Sequence, residues 1–328
     1  MYKPVAPPNT EDLIPLITDP STRPDPMVQP DGSPWTIEAI VEEAGDLAAL
    51  PQVVMRLIDM TNSSTATATD IERVIQNDQA IAARVLALAN SSYYGLPRRI
   101  SSIKEAVVFL GFKAVRNLAM AVTAFNMFLG KSDALSLARR DLWRHSLNTA
   151  LCTKIVCCHL QPSGTGLPVN VDEAFAGGLL HDIGKMALDI AMPERYADAI
   201  HLVEVSGLRL HDIEDTALPF KHAVVGAALG LKWNLPPSLC EVLECHHSPQ
   251  KAESNPRLVA VVAVADDICE HLAKPVPLPS EETGEEPQPP AISKNAMDIL
   301  KLSPEKVPII IAACQTELEK GLALRAFS

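Results

Sequence analysis

The chain has 328 residues, a net charge of −12 and an isoelectric point near 5.2. That acidity excludes broad, non-specific nucleic-acid binding, which relies on many Lys and Arg contacts to phosphate, though it leaves room for a local basic patch. With 47% hydrophobic but only 4% aromatic residues, a sizeable core must be built from Leu, Val, Ile and Ala, a composition that leans towards helix.

Residues 1–35 contain many prolines and few periodic apolar positions, which predicts an extended or disordered arm. MYKPVAPPNTEDLIPLI lacks the charged-then-apolar layout of a secretory signal, and no apolar run approaches the roughly 18 residues of a membrane helix. A cytoplasmic protein is expected. Helix signals follow. Thr69-Asp70-Ile71-Glu72 has the form of a capping box, and Ser102-Ile103-Lys104-Glu105 repeats it before AVVFLGF. In DQAIAARVLALAN, Ile81, Val85, Leu88 and Ala89 share a helical face. Asn90-Ser91-Ser92 is expected to cap or brace helices, and Gly95 and Pro97 break the chain. Tyr93, Tyr94, Arg98 and Arg99 read as a loop packed on the next helix, with a partner-docking surface as the alternative. Asn170 and Glu173 offer a further cap before AFAGGLLHDIGK.

Near residue 275 the composition shifts to KPVPLPSEETGEEPQPP, which cannot bury apolar surface and predicts a loop before the helices in AMDILKL and PIIIAACQTELEKGLAL. No pair of β runs is joined by a hairpin signal. The expected class is all-α, divided as an arm (1–35), an N-terminal helical subdomain (36–135), a second helical subdomain (136–273), a Pro/Glu-rich linker (274–292) and C-terminal helices (293–328). The seven cysteines are odd in number, form no CxxC pair and mostly sit in apolar runs, which predicts free thiols.

Five separate segments each present a ligand-type side chain: DLWRHSLNTA gives His145, GLLHDIGK gives His181 and Asp182, FKHAVVGAAL gives His222, VLECHHSP gives His246 and His247, and VAVADDICEH gives Asp266 and Asp267. Imidazole and carboxylate suit iron, manganese, zinc or nickel. Taken singly, each reads as well as a buried core histidine, a helix C-cap at HH or a solvated face at Asp266-Asp267. His159, His201, His211 and His271 are assigned to hydrogen-bonded core positions. Joint occurrence carries the metal reading, and an aspartate bridging two cations is a common arrangement. Lys185 lies one turn beyond His181 and Asp141 one turn before His145, so the first could face the same pocket and the second could support it from outside.

The order His145, His181-Asp182, Asp266 resembles the H…HD…D pattern of the HD superfamily of metal-dependent phosphohydrolases, which are all-helical. His222, His246 and His247 match the extra histidines with which the HD-GYP branch holds a second metal. The chain is more similar still to the HDOD family from about Leu47 to His271, through LPQVVMRLIDM, IQNDQAIAARVLALANSSYYG, ISSIKEAVVFLGFKAVRNLAM, GLLHDIGKMAL, HAVVGAALGLKWNLP and HHSP. The resemblance implies an HD-like bundle with an N-terminal helical subdomain. It implies a bacterial-type signal-transduction module holding one or two divalent metals on His145, His181, Asp182, His222, His246, His247 and Asp266. Its partners would be a signalling protein or a nucleotide or phosphate ligand. The alternative is an active phosphohydrolase on a nucleotide or cyclic nucleotide, with Asp182 and Lys185 in catalytic roles, Lys185 neutralising phosphate charge. HDOD proteins often lack part of the metal set, and here it is complete. The HD-GYP branch follows its HH with DG-x-GYP. HHSPQKAESNPRL does not, so cyclic di-GMP hydrolysis is not implied.

Overall fold

Helix caps and glycine contacts set the arrangement seen in the computed structural model. It describes residues 32–44, 67–76, 79–90, 94–112, 114–119, 136–160, 169–273 and 291–320, with isolated positions 29, 56, 60 and 122. Most of the expected arm, Ser91, Ser92, Tyr93 and residues 274–290 of the expected linker lie outside the described residues. Every regular element among the described residues is helical. In chain order they are α1 (Ile37–Glu43), α2 (Ala68–Gln76), α3 (Gln79–Ala89), α4 (Ile103–Leu110), α5 (Ser136–His159), α6 (Val171–Leu180), α7 (Ile183–Ala191), α8 (Pro193–Ser206), α9 (Leu210–Ala217), α10 (His222–Lys232), α11 (Pro237–Cys245), α12 (Pro256–Ala273), α13 (Lys294–Leu300) and α14 (Val307–Lys320). Described residues contain no helix long and apolar enough to cross a membrane.

Two of the three expected caps form where expected. The Ser102 hydroxyl accepts the Glu105 amide at 3.1 Å, and the Asn170 side chain accepts the Glu173 amide at 3.1 Å. The first box is shifted by two residues. Thr67, not Thr69, accepts the Asp70 amide at 3.3 Å, while Asp70 accepts the Thr67 amide at 3.0 Å. In TATATD both Thr67 and Thr69 have an acid three places on, and because the helix starts at Ala68 it is Thr67 with Asp70 that closes the reciprocal pair.

Helices α2, α3 and α4 pack on one another, with Ile81, Val85, Leu88 and Ala89 buried on the expected face. Asn90 braces this group as expected: its amide donates to Leu86 O and Ile100 O, and its oxygen accepts the Ile100 amide, each within 2.9 Å. Tyr94 packs against Phe175 and the Arg98 guanidinium lies over Phe109, so this turn follows the packed-loop reading.

The rest is built around α12. Every residue from Leu258 to Cys269 on it is buried, the mark of a helix enclosed on all sides. Helices α5, α6, α11, α13 and α14 contact it, and α7 packs on α10. Two glycines permit the close approaches. A Cβ at Gly184 would stand 1.9 Å from the carbonyl oxygen of His222, and a Cβ at Gly178 would stand 2.9 Å from the Cα of Ala150. Gly184 thus lets the start of α7 touch the start of α10, and Gly178 lets α6 touch α5 just beyond His145. The cysteines are free thiols.

Candidate metal centre

Helix ends converge on one buried place. α6 ends at Leu180 and α7 begins at Ile183, so His181 and Asp182 form the break between them. Both side chains can therefore face one point, which neighbours on a continuous helix, about 100° apart, cannot do. His222 opens α10, His246 caps the end of α11 with His247 next to it, and His145 and Asp266 come from the middles of α5 and α12.

All seven side chains named as ligand candidates come together. They form two groups, Asp182/His222/His246/His247 and His145/His181/Asp266, within each of which the ligand atoms lie within 4.8 Å of one another. Asp182 faces both. Its Oδ2 lies 3.3 Å from His181 Nε2 and 3.6 Å from His145 Nε2, and its Oδ1 lies 3.3 Å from His222 Nε2 and 3.8 Å from His246 Nε2. Asp266 Oδ1 lies 2.9 Å from His145 Nε2 and 3.4 Å from His181 Nε2. His181, Asp182 and His222 are fully buried, and the His145 side chain keeps 21% exposure at the edge.

What these atoms lack is donors. His181 Nδ1 donates to Gly178 O at 2.8 Å, and His246 Nδ1 faces Val242 O and Leu243 O at 3.1 and 3.0 Å. A carbonyl only accepts, so each ring carries a proton at Nδ1 and turns its Nε2 inward. His222 Nδ1 donates to Glu214 at 2.7 Å. Yet His222 Nε2 lies 3.2 Å from His246 Nε2 and 3.1 Å from His247 Nε2. His181 Nε2, Asp182 Oδ1 and Asp266 Oδ1 are buried without a hydrogen-bond partner. The 2.9 Å contact of His145 with Asp266 is short, but its direction is poor for a hydrogen bond. Orphaned buried acceptors cost free energy, and a cation at their centre removes that cost. Hard and borderline donors, with no thiolate among them, suit a divalent transition ion.

Electrostatics agree. Burial strips charge from His246, whose pKa falls to about 3 with His181 and His222 adding to the effect, and lowers His247 as well. At His181 burial is outweighed by Asp182 and Asp266, and the pKa rises to about 10; at His222 Glu214 and Asp182 outweigh it in the same direction. Asp182 is held well below the usual carboxylate range against burial, chiefly by His181 and Lys185, and Asp266 likewise by His145 and His181. Ionised carboxylates are thus enclosed among rings that cannot all be charged together.

Lys185 does face the pocket, but its ammonium is bound to Asp182 Oδ2 at 2.7 Å. Asp141 instead pairs with exposed Arg144 at 2.8 Å. Asp267 is no solvated face: it is buried and accepts Arg209 at 2.7 Å and the Ser293 amide at 2.8 Å. Of the histidines assigned to the core, His159 donates to Ile155 O, whereas His201 is exposed. His211 stacks on His247, with centroids 4.2 Å apart and planes 14° from parallel. Glu214 had no sequence signal at all, one acid among three in HDIED. A groove of about 740 Å³, lined in part by His211, Glu214, Lys221, Glu244, His247 and Glu253, reaches this side of the centre.

Comparison with known proteins follows the same lines. An uncharacterized protein from Treponema pallidum (strain Nichols) is 25% identical over 229 residues, which is 70% of this chain and 43% of that protein. Ribonuclease Y from Mycoplasma mycoides subsp. mycoides SC is 32% identical over 140 residues, 43% of this chain and 20% of that protein. The chain thus spans less than half the length of either relative. The crystal structure of an HDOD domain protein with unknown function from Geobacter sulfurreducens shares the fold, with a TM-score of 0.60 and 24% identity over 89% of this chain and 97% of that chain. Residues 47–249 match the HDOD domain family, and since that stretch is well over half of the chain and carries six of the seven converging side chains, all but Asp266, the protein belongs to the HDOD family.

Proposed function

We propose that this chain is an HDOD regulatory module whose His/Asp centre holds one or two divalent transition ions, and that the ions fasten the helices into the form a signalling partner reads. The observation that carries this is a set of buried polar atoms facing one another: the Nε2 atoms of His222 and His246, 3.2 Å apart with each ring's Nδ1 engaged elsewhere, and three further atoms with no hydrogen-bond partner. When bound, such a cation would supply the positive charge that the enclosed carboxylates lack and, towards a phosphoryl ligand, Lewis acidity.

The chain's own residues fill defined parts. Asp182 directs one oxygen to each ligand group. Lys185 keeps Asp182 ionised and is occupied in doing so, which favours a supporting part over the phosphate contact expected from the sequence. Main-chain carbonyls fix the ring orientation of His181 and His246.

A second reading, hydrolysis of a phosphodiester, is favoured by one observation: the centre is open at His145 and at the groove beside His247. The likeness to Ribonuclease Y, a protein named for acting on RNA, points the same way. Against it, Glu244 and Glu253 line the groove and oppose an anionic ligand. Turnover of bis(p-nitrophenyl) phosphate and of cyclic nucleotides by Mn(II)-loaded protein separates the two. The module reading expects bound metal with no turnover above that of a His181→Ala, Asp182→Ala variant. Turnover lost in that variant establishes the hydrolase.

A further inference from the structure

Helix α9 carries acids at Asp212, Glu214 and Asp215. The first and third point to solvent, with side chains 51% and 69% exposed, while Glu214 is fully buried. Its carboxylate lies over the start of α10. Oε1 accepts the backbone N–H of His222 at 3.1 Å and its Nδ1–H at 2.7 Å, and Oε2 lies 2.8 Å from the same Nδ1. His222 is the first residue of its helix, so that amide has no partner within the helix. One carboxylate therefore holds both the main chain and the ring of His222.

Holding Nδ1 dictates where the other nitrogen goes. His222 Nε2 is aimed at Asp182 Oδ1, His246 Nε2 and His247 Nε2, at 3.3, 3.2 and 3.1 Å. His181 and His246 are oriented by neutral main-chain carbonyls. An ionised acceptor behind an imidazole makes it a stronger ligand than a neutral one does. Glu214 also touches no residue of the His145/His181/Asp266 group in any recorded hydrogen bond.

We infer that Glu214 is a positioning residue for half of the centre: it fixes the tautomer and direction of His222, so that the cation on Asp182/His222/His246/His247 depends on it and the cation on His145/His181/Asp266 does not. This rests on the metal-centre reading above and adds two sites of unequal dependence.

The test is an equilibrium titration of metal-free protein with Mn(II), the free ion followed by electron paramagnetic resonance, for wild type, Glu214→Gln and Asn170→Ala. The last removes a helix cap remote from the centre and controls for lost stability alone. Wild type should take two equivalents. Glu214→Gln should keep one of them and bind the other about 10- to 100-fold more weakly, while Asn170→Ala melts earlier with both affinities intact. In a His222→Ala background Glu214→Gln should have no further effect on affinity. Equal weakening of both equivalents, or none, overturns the part given to Glu214 while leaving the centre in place. Wild type that takes up no Mn(II) overturns the centre and this inference together. A second measurement needs no variant. In ¹⁵N-histidine protein loaded with diamagnetic Zn(II), His222 must show a protonated Nδ1 and an Nε2 shifted by metal; a ring with those states reversed refutes the assignment.

Discussion

Glu241 and Asp182 are both carboxylates set against a helix end, the first half-exposed and the second fully buried, and they could hardly be served more differently. Glu241 accepts the amides of Glu253, Ser254 and Asn255 at 2.6, 2.8 and 2.7 Å and the Asn255 side chain at 2.8 Å. Nearby in kind is Asp189, buried against Arg139 at 2.7 Å. In these places each charge has been given donors by the chain itself. Around Asp182 the chain supplies one ammonium, from Lys185, and otherwise surrounds the carboxylate with imidazole nitrogens and a second aspartate. The difference teaches how to tell a structural charge from a binding one. A matched cluster is complete as it stands, whereas a cluster of acceptors specifies the charge of something still to arrive.

Breaking a matched pair should cost most and should be blind to metal. Arg139→Met leaves Asp189 buried without its cation, and we expect a loss of about 3–5 kcal/mol by denaturant titration, equal in chelator and in Mn(II). The unmatched cluster should behave in the opposite way. Mn(II) at a hundred times its dissociation constant should stabilise wild type by about 2.7 kcal/mol, and a His181→Ala, Asp182→Ala variant by nothing measurable in the same melts. Equal metal responses in the two proteins would erase the contrast.

Removing charge from the matched carboxylate is a milder perturbation. Glu241→Gln should cost about 1 kcal/mol at neutral pH, below the range for hydrogen bonds to a charged group because the site is open to solvent. Its pH dependence has a definite sign. The main-chain donors hold the Glu241 pKa below its ordinary value in spite of burial. Its stabilisation is therefore complete above the unfolded pKa near about 4.3 and fades as pH falls through the lowered folded value. Denaturation midpoints of wild type and variant should converge in acid; a gap that widens there contradicts the assignment. Smallest is a surface cap with no buried charge. Thr67→Ala should cost less than about 1 kcal/mol, and Thr69→Ala less than about half of that.

Much of the centre is legible from residue order because its ligands are chemically rare in apolar helices. His145, His181, His222, His246 and Asp266 stand among Leu, Val and Ala, where a polar side chain must have a reason, and all are found facing one pocket. Caps at Ser102 and Asn170 are readable because in each region only one capping residue has a glutamate three places on. What resists reading depends on tertiary direction. TATATD offers the right motif in more than one register, and only the start of α2 selects Thr67. Glu214 lies among other acids eight residues before His222, and no local pattern says which of them turns inward. His211 has an ordinary helical setting, and only the path of the chain after α11 lays His247 on it. The break between α6 and α7 is equally hidden, since GLLHDIGK has no proline, and its glycine matters for a contact with His222 made across the fold.

The account stands on the claim that the Asp182 cluster exists to hold a cation. Elemental analysis of protein purified without chelator, beside a His181→Ala, Asp182→Ala variant prepared in parallel and shown to fold, tests it most directly. The account predicts between one and two equivalents of iron, manganese, zinc or nickel in wild type and none in the variant. Folded wild type free of these metals that also takes up none on addition, or a variant that keeps them, would contradict it.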